Sequence, residues 1–191
     1  MKKSQLEHIL RAASRIVEEN EFIIIGSQSL HGKYPDIADD ILVSREVDLL
    51  VKKSVAKTEF LNVIGMDSPF HEEFGYYADP VDANTAVLPK NWRNRLVHLK
   101  LEQQELKVYC LEPHDLAIAK LAAGREKDQV FICALLRMDL LKAETLALRL
   151  KETKVPPERM RAMEHLLGKL LRQSNPPDGA DEPEHGSKLR Q

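Results

Sequence analysis

The sequence predicts an α/β (α+β) fold: a mixed β-sheet flanked by helices, with a helical C-terminal part. Three observations predict it. Short apolar, β-branched runs at 22–25 and 46–51 read as strands. Two further apolar runs, 96–101 and 106–111, flank the polar turn Glu102-Gln103-Gln104-Glu105 and read as a hairpin. From Pro113 onward the apolar residues recur at helical spacing with no strand pattern.

Each element has its own signal. Over 4–19, Leu6, Ile9, Leu10, Ala13, Ile16 and Val17 form one helical face, and Ser4 with Glu7 makes the S-x-x-E pattern of a capping box. The strand 22–25 is broken by Gly26, and 27–31 has room for one or two helical turns. Gly32, Pro35 and three aspartates make 32–43 mostly loop. After the strand 46–51 comes a helix over 54–64, with Phe60, Leu61 and Ile64 apolar. Residues 66–71 read as loop and 74–77 as a strand. Pro113 suits a first helical position and Asp115 a first turn, so one helix runs over 113–123. Others follow at about 127–137, 143–152 and 157–172. The tail is rich in Pro, Gly and charge and buries too little to order itself. The organisation predicted is an α/β core over 1–112, a helical part packed on it over 113–173, and a disordered tail over 174–191.

Bulk properties exclude several classes. A chain of 191 residues suits one domain, or one domain with a small appendage. Its net charge of -2 gives no whole-chain argument for nucleic acid. Cys110 and Cys133 have neither CxxC spacing nor histidines at zinc spacing, which predicts a reduced, cytoplasmic protein. Lys2 and Lys3 precede no apolar run, because Glu7, His8 and Arg11 interrupt it, so no signal peptide is expected and no membrane partner. There is no serine-hydrolase elbow and no dinucleotide fingerprint.

The second strand carries the first chemical signal. Glu46 and Asp48 lie two positions apart and share a face. Their Cα atoms are roughly 6.6 Å apart. Two anions at that distance repel by ~2 kcal/mol at an effective dielectric of about 20. A divalent cation such as Mg²⁺, which takes one or two carboxylates plus substrate phosphates, would offset that repulsion. Gly26-Ser27 is the second signal: glycine lets backbone approach a phosphate, and the serine adds a hydroxyl. The plainer readings stand beside these, a solvent face for E-x-D and a turn for Gly-Ser. Lys120 is the third signal, a lone lysine among Ala117, Ile118, Ala119, Leu121, Ala122 and Ala123. It is either the wet stripe of a buried helix or a residue reaching into a site. Arg125-Glu126-Lys127-Asp128, by pattern alone, is a charged turn between helices.

These stretches, IIGSQSL, SREVDLLV and EPHDLAIAKLAAGREKD, resemble the nucleotidyltransferase-fold superfamily. Within it they are most similar to AbiEii-type and minimal nucleotidyltransferase toxins. SPFHEEFGYYADPV, LPKNWRNRLV and LEPHDLAIAKLAAGREKD also resemble an uncharacterised bacterial family described as nucleotidyltransferase-like. The similarity covers roughly residues 22–140.

The resemblance implies a role for each residue. Gly26 and Ser27 would hold triphosphate, Glu46 and Asp48 the metal, Mg²⁺ or Mn²⁺, with Ser44 two positions ahead of the pair. Lys120 would contact phosphate or stabilise developing charge. Arg125, Lys127 and Asp128 complete the motif, the aspartate orienting the lysine or acting as base. The first acid is Glu where the superfamily more often has Asp. A third carboxylate has no clear position, since Asp79 and Asp82 fall in what reads as loop. The implied function is metal-dependent transfer of a nucleotidyl group from a nucleoside triphosphate to a hydroxyl on tRNA, other RNA or protein. A toxin-antitoxin or abortive-infection role, with an antitoxin partner, goes with it. The alternative is a catalytically degenerate nucleotide- or protein-binding module of the same fold. His71 reads as a loop histidine, His114 as local helix structure and Trp92 as a core anchor, with Lys90, Arg93 and Arg95 around it.

Overall fold

The computed structural model describes residues 1–38, 41–82, 86–102 and 105–174. The order of elements is α1 (Lys3–Val17), β1 (Glu21–Ile24), a 3-10 helix (Ser27–Gly32), β2 (Glu46–Val51), a second 3-10 helix (Val55–Ile64), α2 (Pro69–Phe74) and β3 (Tyr77–Pro80). A third 3-10 helix (Trp92–Arg95), β4 (Val97–Leu99), β5 (Lys107–Cys110), α3 (Pro113–Ala123), α4 (Glu126–Arg137), α5 (Ala143–Lys151) and α6 (Pro157–Ser174) complete it. The five strands form one mixed sheet in the order β3-β2-β1-β5-β4. β1 runs antiparallel to β2 and parallel to β5, β2 parallel to β3, and β4 antiparallel to β5.

Strand alternation sorts the side chains between two layers. Phe22 and Ile24 of β1, with Val47, Leu49 and Val51 of β2, pack with Leu6, Ile9, Leu10 and Ala13 of α1. Ile23 and Leu50 face the other way, onto Leu116, Ala117 and Ile118 of α3 and the helices behind it. That parity matters for function. Glu46 and Asp48 share the face of Leu50, so β2 turns its acids toward the C-terminal helices.

α3 is held in place by a buried ion network. Asp115 is wholly buried and takes two hydrogen bonds from Arg95, Nε and Nη2, each at 2.9 Å. Arg149 Nε of α5 stands 3.2 Å from Asp115 Oδ1, a charge contact without hydrogen-bond geometry. Glu112 caps the helix by accepting the His114 N–H at 2.8 Å. His114 Nδ1 meets the same carboxylate at 2.9 Å while its Nε2 accepts the Lys142 N–H at 2.9 Å, so Nδ1 is the protonated nitrogen.

Several expectations need correction. Ser4 and Glu7 do not cap α1: the helix starts at Lys3, Gln5 Oε1 accepts the Lys2 N–H at 2.9 Å, and Glu7 is buried. The helix over 54–64 is 3-10 in geometry. Residues 66–71 are not all loop: Ser68 Oγ accepts the His71 N–H, Pro69 takes the first position, and α2 runs to Phe74, with Gly75 ending it at φ +73°. His71 is therefore helical. The strand read at 74–77 is β3, three residues later, because α2 consumes Phe74. Pro80 is tolerated there because β3 is a sheet edge. The turn residues Gln103 and Gln104, and the tail beyond Ser174, lie outside the described residues. Cys110 and Cys133 are buried free thiols. No helix among the described residues is long and apolar enough to cross a membrane.

Candidate active site

A cleft of about 590 Å³ opens between the acid-bearing face of the sheet and the helices α3, α4 and α6. Gly26, Ser27, Ser44, Glu46, Asp48, Lys120, Arg125, Lys127 and Asp128, all singled out from sequence, line it. Arg45, Asp82, Phe131 and Arg159 also line it.

The acids come from two adjacent strands. Asp48 is in register with Asp79 and Glu46 with Tyr77 across the parallel β2–β3 pair, so all four side chains share one face. Asp79 thus takes its place on a strand beside the first two acids, where the sequence offered it only a loop. Burial and the charges of Glu46 and Asp79 push the Asp48 carboxyl up to about 6, against the opposing pull of Lys120. Burial and Glu46 also raise the Asp79 carboxyl. Tyr77 donates its hydroxyl to Glu46 Oε2 at 2.9 Å. Burial first, then that hydrogen bond, lifts the phenol to about 12, so it is a donor at any physiological pH.

Gly26 is required by Asp48. A Cβ at position 26 would lie 1.6 Å from Asp48 Oδ2. The carboxylate therefore rests directly against the glycine backbone at the end of β1. Ser29 N–H bonds back to Gly26 O at 2.9 Å and closes the turn. Gln28 Nε2 donates to Ser44 O at 3.2 Å and ties the start of β2 to this turn. Ser44 turns its hydroxyl on its own strand, accepting the Glu46 N–H at 3.2 Å.

Cations face the acids from the helical side. Lys120 Nζ donates to Asp128 Oδ1 at 2.9 Å and lies 4.6 Å over the Phe131 ring. Arg125 Nε donates to Asp128 Oδ2 at 2.6 Å. Asp128 is 1% exposed. Burial works to raise its carboxyl, but the hydrogen bonds from Arg125 and Lys120 outweigh it and hold it below the ordinary value. Arg125 is strengthened as a cation by Asp128 and further by the charges of Asp48 and Glu46. The stretch 125–128 that reads as a charged turn is thus the start of α4, with its aspartate buried between two cations. Gly124, at φ +68°, makes the sharp α3–α4 junction that brings Asp128 back to Lys120.

The donor set is all oxygen, which suits a hard divalent cation, and Glu46 and Asp48 are the residues that would hold one. The fit is one of chemistry and face. Among the described residues no three His, Cys, Asp or Glu side chains close around a common point, and Asp79 is not in the cleft wall. The other weighed residues sit elsewhere. Trp92 is buried with Arg93 stacked on it, and Arg95 is committed to Asp115.

Compared with known proteins, residues 4–165 match a family described as nucleotidyltransferase of unknown function, DUF6036. No curated protein matches the chain. No solved structure matches it either.

Proposed function

The chain belongs to this family of nucleotidyltransferases, and from that premise we propose that its cleft passes a nucleotidyl group from a nucleoside triphosphate to a hydroxyl on RNA or protein, with Mg²⁺ or Mn²⁺. One observation carries the reading. Two carboxylates, Glu46 and Asp48, share one face of β2 and meet Lys120 and Arg125 across a cleft that Gly26 and Ser27 also line, with Asp79 beside Asp48 on the neighbouring strand.

In the proposed reaction the acceptor hydroxyl oxygen attacks the α-phosphorus. The bond from that phosphorus to the α–β bridging oxygen breaks, and pyrophosphate leaves with its electrons. The cation, when bound, supplies charge neutralisation on the phosphates. Glu46 and Asp48 hold it. The missing side chain at Gly26 leaves room for Asp48 and the phosphates, and Ser27 contributes its hydroxyl. Lys120, oriented by Asp128, offsets charge developing on the transferred group. Arg125 and Lys127 hold the outer phosphates. The proton of the attacking hydroxyl is released to solvent in the open cleft, and Asp79, outside the cleft wall, acts on Asp48 through its charge. Asp128, held as an anion between two cations, is an orienting group and a poor base. The proposal includes a cytoplasmic, toxin-like role with a cognate antitoxin, which rests on the similarity to AbiEii-type toxins alone.

A second reading, a nucleotide- or protein-binding module without turnover, is favoured by one fact: the carboxylates do not close around a common point among the described residues. A transfer assay separates the two. Purified protein is incubated with each α-labelled nucleoside triphosphate, Mg²⁺ or Mn²⁺, total RNA and cell-extract protein, beside Glu46→Ala/Asp48→Ala. Label on one macromolecule with the wild type alone supports transfer. Equal labelling by the double mutant would sink the assignment of the acids.

A further inference from the structure

Glu46 is the outer acid of the β2 pair, and its side chain is held from the neighbouring strand. A glutamate on a strand carries one more rotatable bond than aspartate and must be ordered before it can serve as a ligand. Its register partner does this. Tyr77 Oη donates to Glu46 Oε2 at 2.9 Å. The tyrosine is 7% exposed, and the imidazole of His71 packs on its ring at 4.5 Å between centroids. His71 is itself fixed at two points. Its Nδ1 accepts the Asp67 N–H at 3.1 Å, and its own N–H donates to Ser68 Oγ at 3.2 Å. The hydroxyl that grips Glu46 is therefore mounted on a ring braced by α2. An aspartate at 46 would end roughly 1.5 Å sooner, one C–C bond short, out of reach of that hydroxyl.

We propose that Tyr77 is a positioning residue. It pins Glu46 Oε2 and so presents Oε1 to the divalent cation that accompanies the nucleotide. The inference rests on the proposed function above. It assigns to this chain a Glu–Tyr pair, and it gives α2 a task, that of bracing the pair through His71.

The test uses Mn²⁺ as the probe, with a nucleoside triphosphate analogue carrying an α,β-methylene bridge, and reads free Mn²⁺ by electron paramagnetic resonance. The proteins are wild type, Tyr77→Phe, Glu46→Asp and the double variant. Tyr77→Phe keeps the ring against His71 and removes only the hydroxyl, and thermal melts check that each variant folds. Removing a group that orients a metal ligand costs about tenfold or more in metal affinity, which is the loss expected for Tyr77→Phe. On the Glu46→Asp background the same change should alter affinity by less than about twofold, because the shorter side chain never reached the hydroxyl. Equal Mn²⁺ affinity in wild type and Tyr77→Phe would overturn the proposal. So would an equal loss on both backgrounds, which would mean that Tyr77 acts otherwise than through Glu46. No Mn²⁺ binding by the wild type would overturn the parent reading and this inference with it. A failure confined to the comparison of variants would remove only the inference.

Discussion

Replacing Asp48 by Asn should make the protein more stable, and the size of the gain follows from the site. Asp48 is partly buried beside two other carboxylates, and its carboxyl rises from 3.8 to about 6. At about 1.4 kcal/mol per tenfold, that corresponds to about 3 kcal/mol of cost for keeping the charge in place at neutral pH. The sign follows from proton binding. Between pH 4 and 6 the folded state holds a proton at Asp48 that the unfolded state has lost, so this carboxyl's contribution to stability falls as pH rises through that window and is level above it. Asparagine keeps the shape against Gly26 and removes the charge. In EDTA, urea melts of wild type and Asp48→Asn should differ by about 2–3 kcal/mol at pH 7.5, and the gap should close towards pH 4. A gap that does not change with pH, or a less stable Asp48→Asn, would refute the electrostatic account of the acid cluster.

Three other changes have definite outcomes. Gly26→Ala puts a Cβ 1.6 Å from Asp48 Oδ2 and must displace that carboxylate, so nucleotide-dependent metal binding should be lost while stability falls by only about 1–3 kcal/mol, read by calorimetric titration and urea melts. Asp115→Ala leaves Arg95 and Arg149 without their buried partner and should cost about 3–5 kcal/mol in the same melts. Asp79→Asn removes one of the charges that raise the Asp48 carboxyl, so the Asp48 titration, read by NMR, should move down, with a thermal midpoint no lower than that of the wild type.

Much of this fold is written in local pattern. The second strand and the α3 helix fall where their apolar runs, Pro113 and Gly124 put them, because burial parity and backbone constraints act over a few residues. The α2–β3 segment carries a weaker local signal. Ser68-Pro69 is a helix-start signal and Gly75 a stop, but the short run between them has no apolar period to support a helix. Without that period the sequence places a strand at 74–77 and Asp79 in a loop, whereas α2 takes Phe74 and β3 runs over Tyr77–Pro80. The acid pair was visible because two residues on one strand carry their own geometry. Asp79 joins them only through strand pairing, and Tyr77 reaches Glu46 only across the same ladder. Asp128 illustrates the same limit. In sequence it sits among Arg, Glu and Lys and looks solvated; in the fold Gly124 reverses the chain and Lys120 closes over it. Long-range pairing decides such cases, and no periodicity encodes it.

The most direct test of the account is label transfer by Asp48→Asn in Mg²⁺, measured on the preparation whose melt shows it folded. Asp48→Asn should be at least as stable as the wild type, and its transfer from α-labelled nucleoside triphosphate should fall by about a hundredfold or more, because the variant lacks the carboxylate proposed to hold the cation opposite Lys120. Transfer at the wild-type rate would mean that Asp48 neither holds the cation nor takes part in the chemistry, against the assignment of the acid pair.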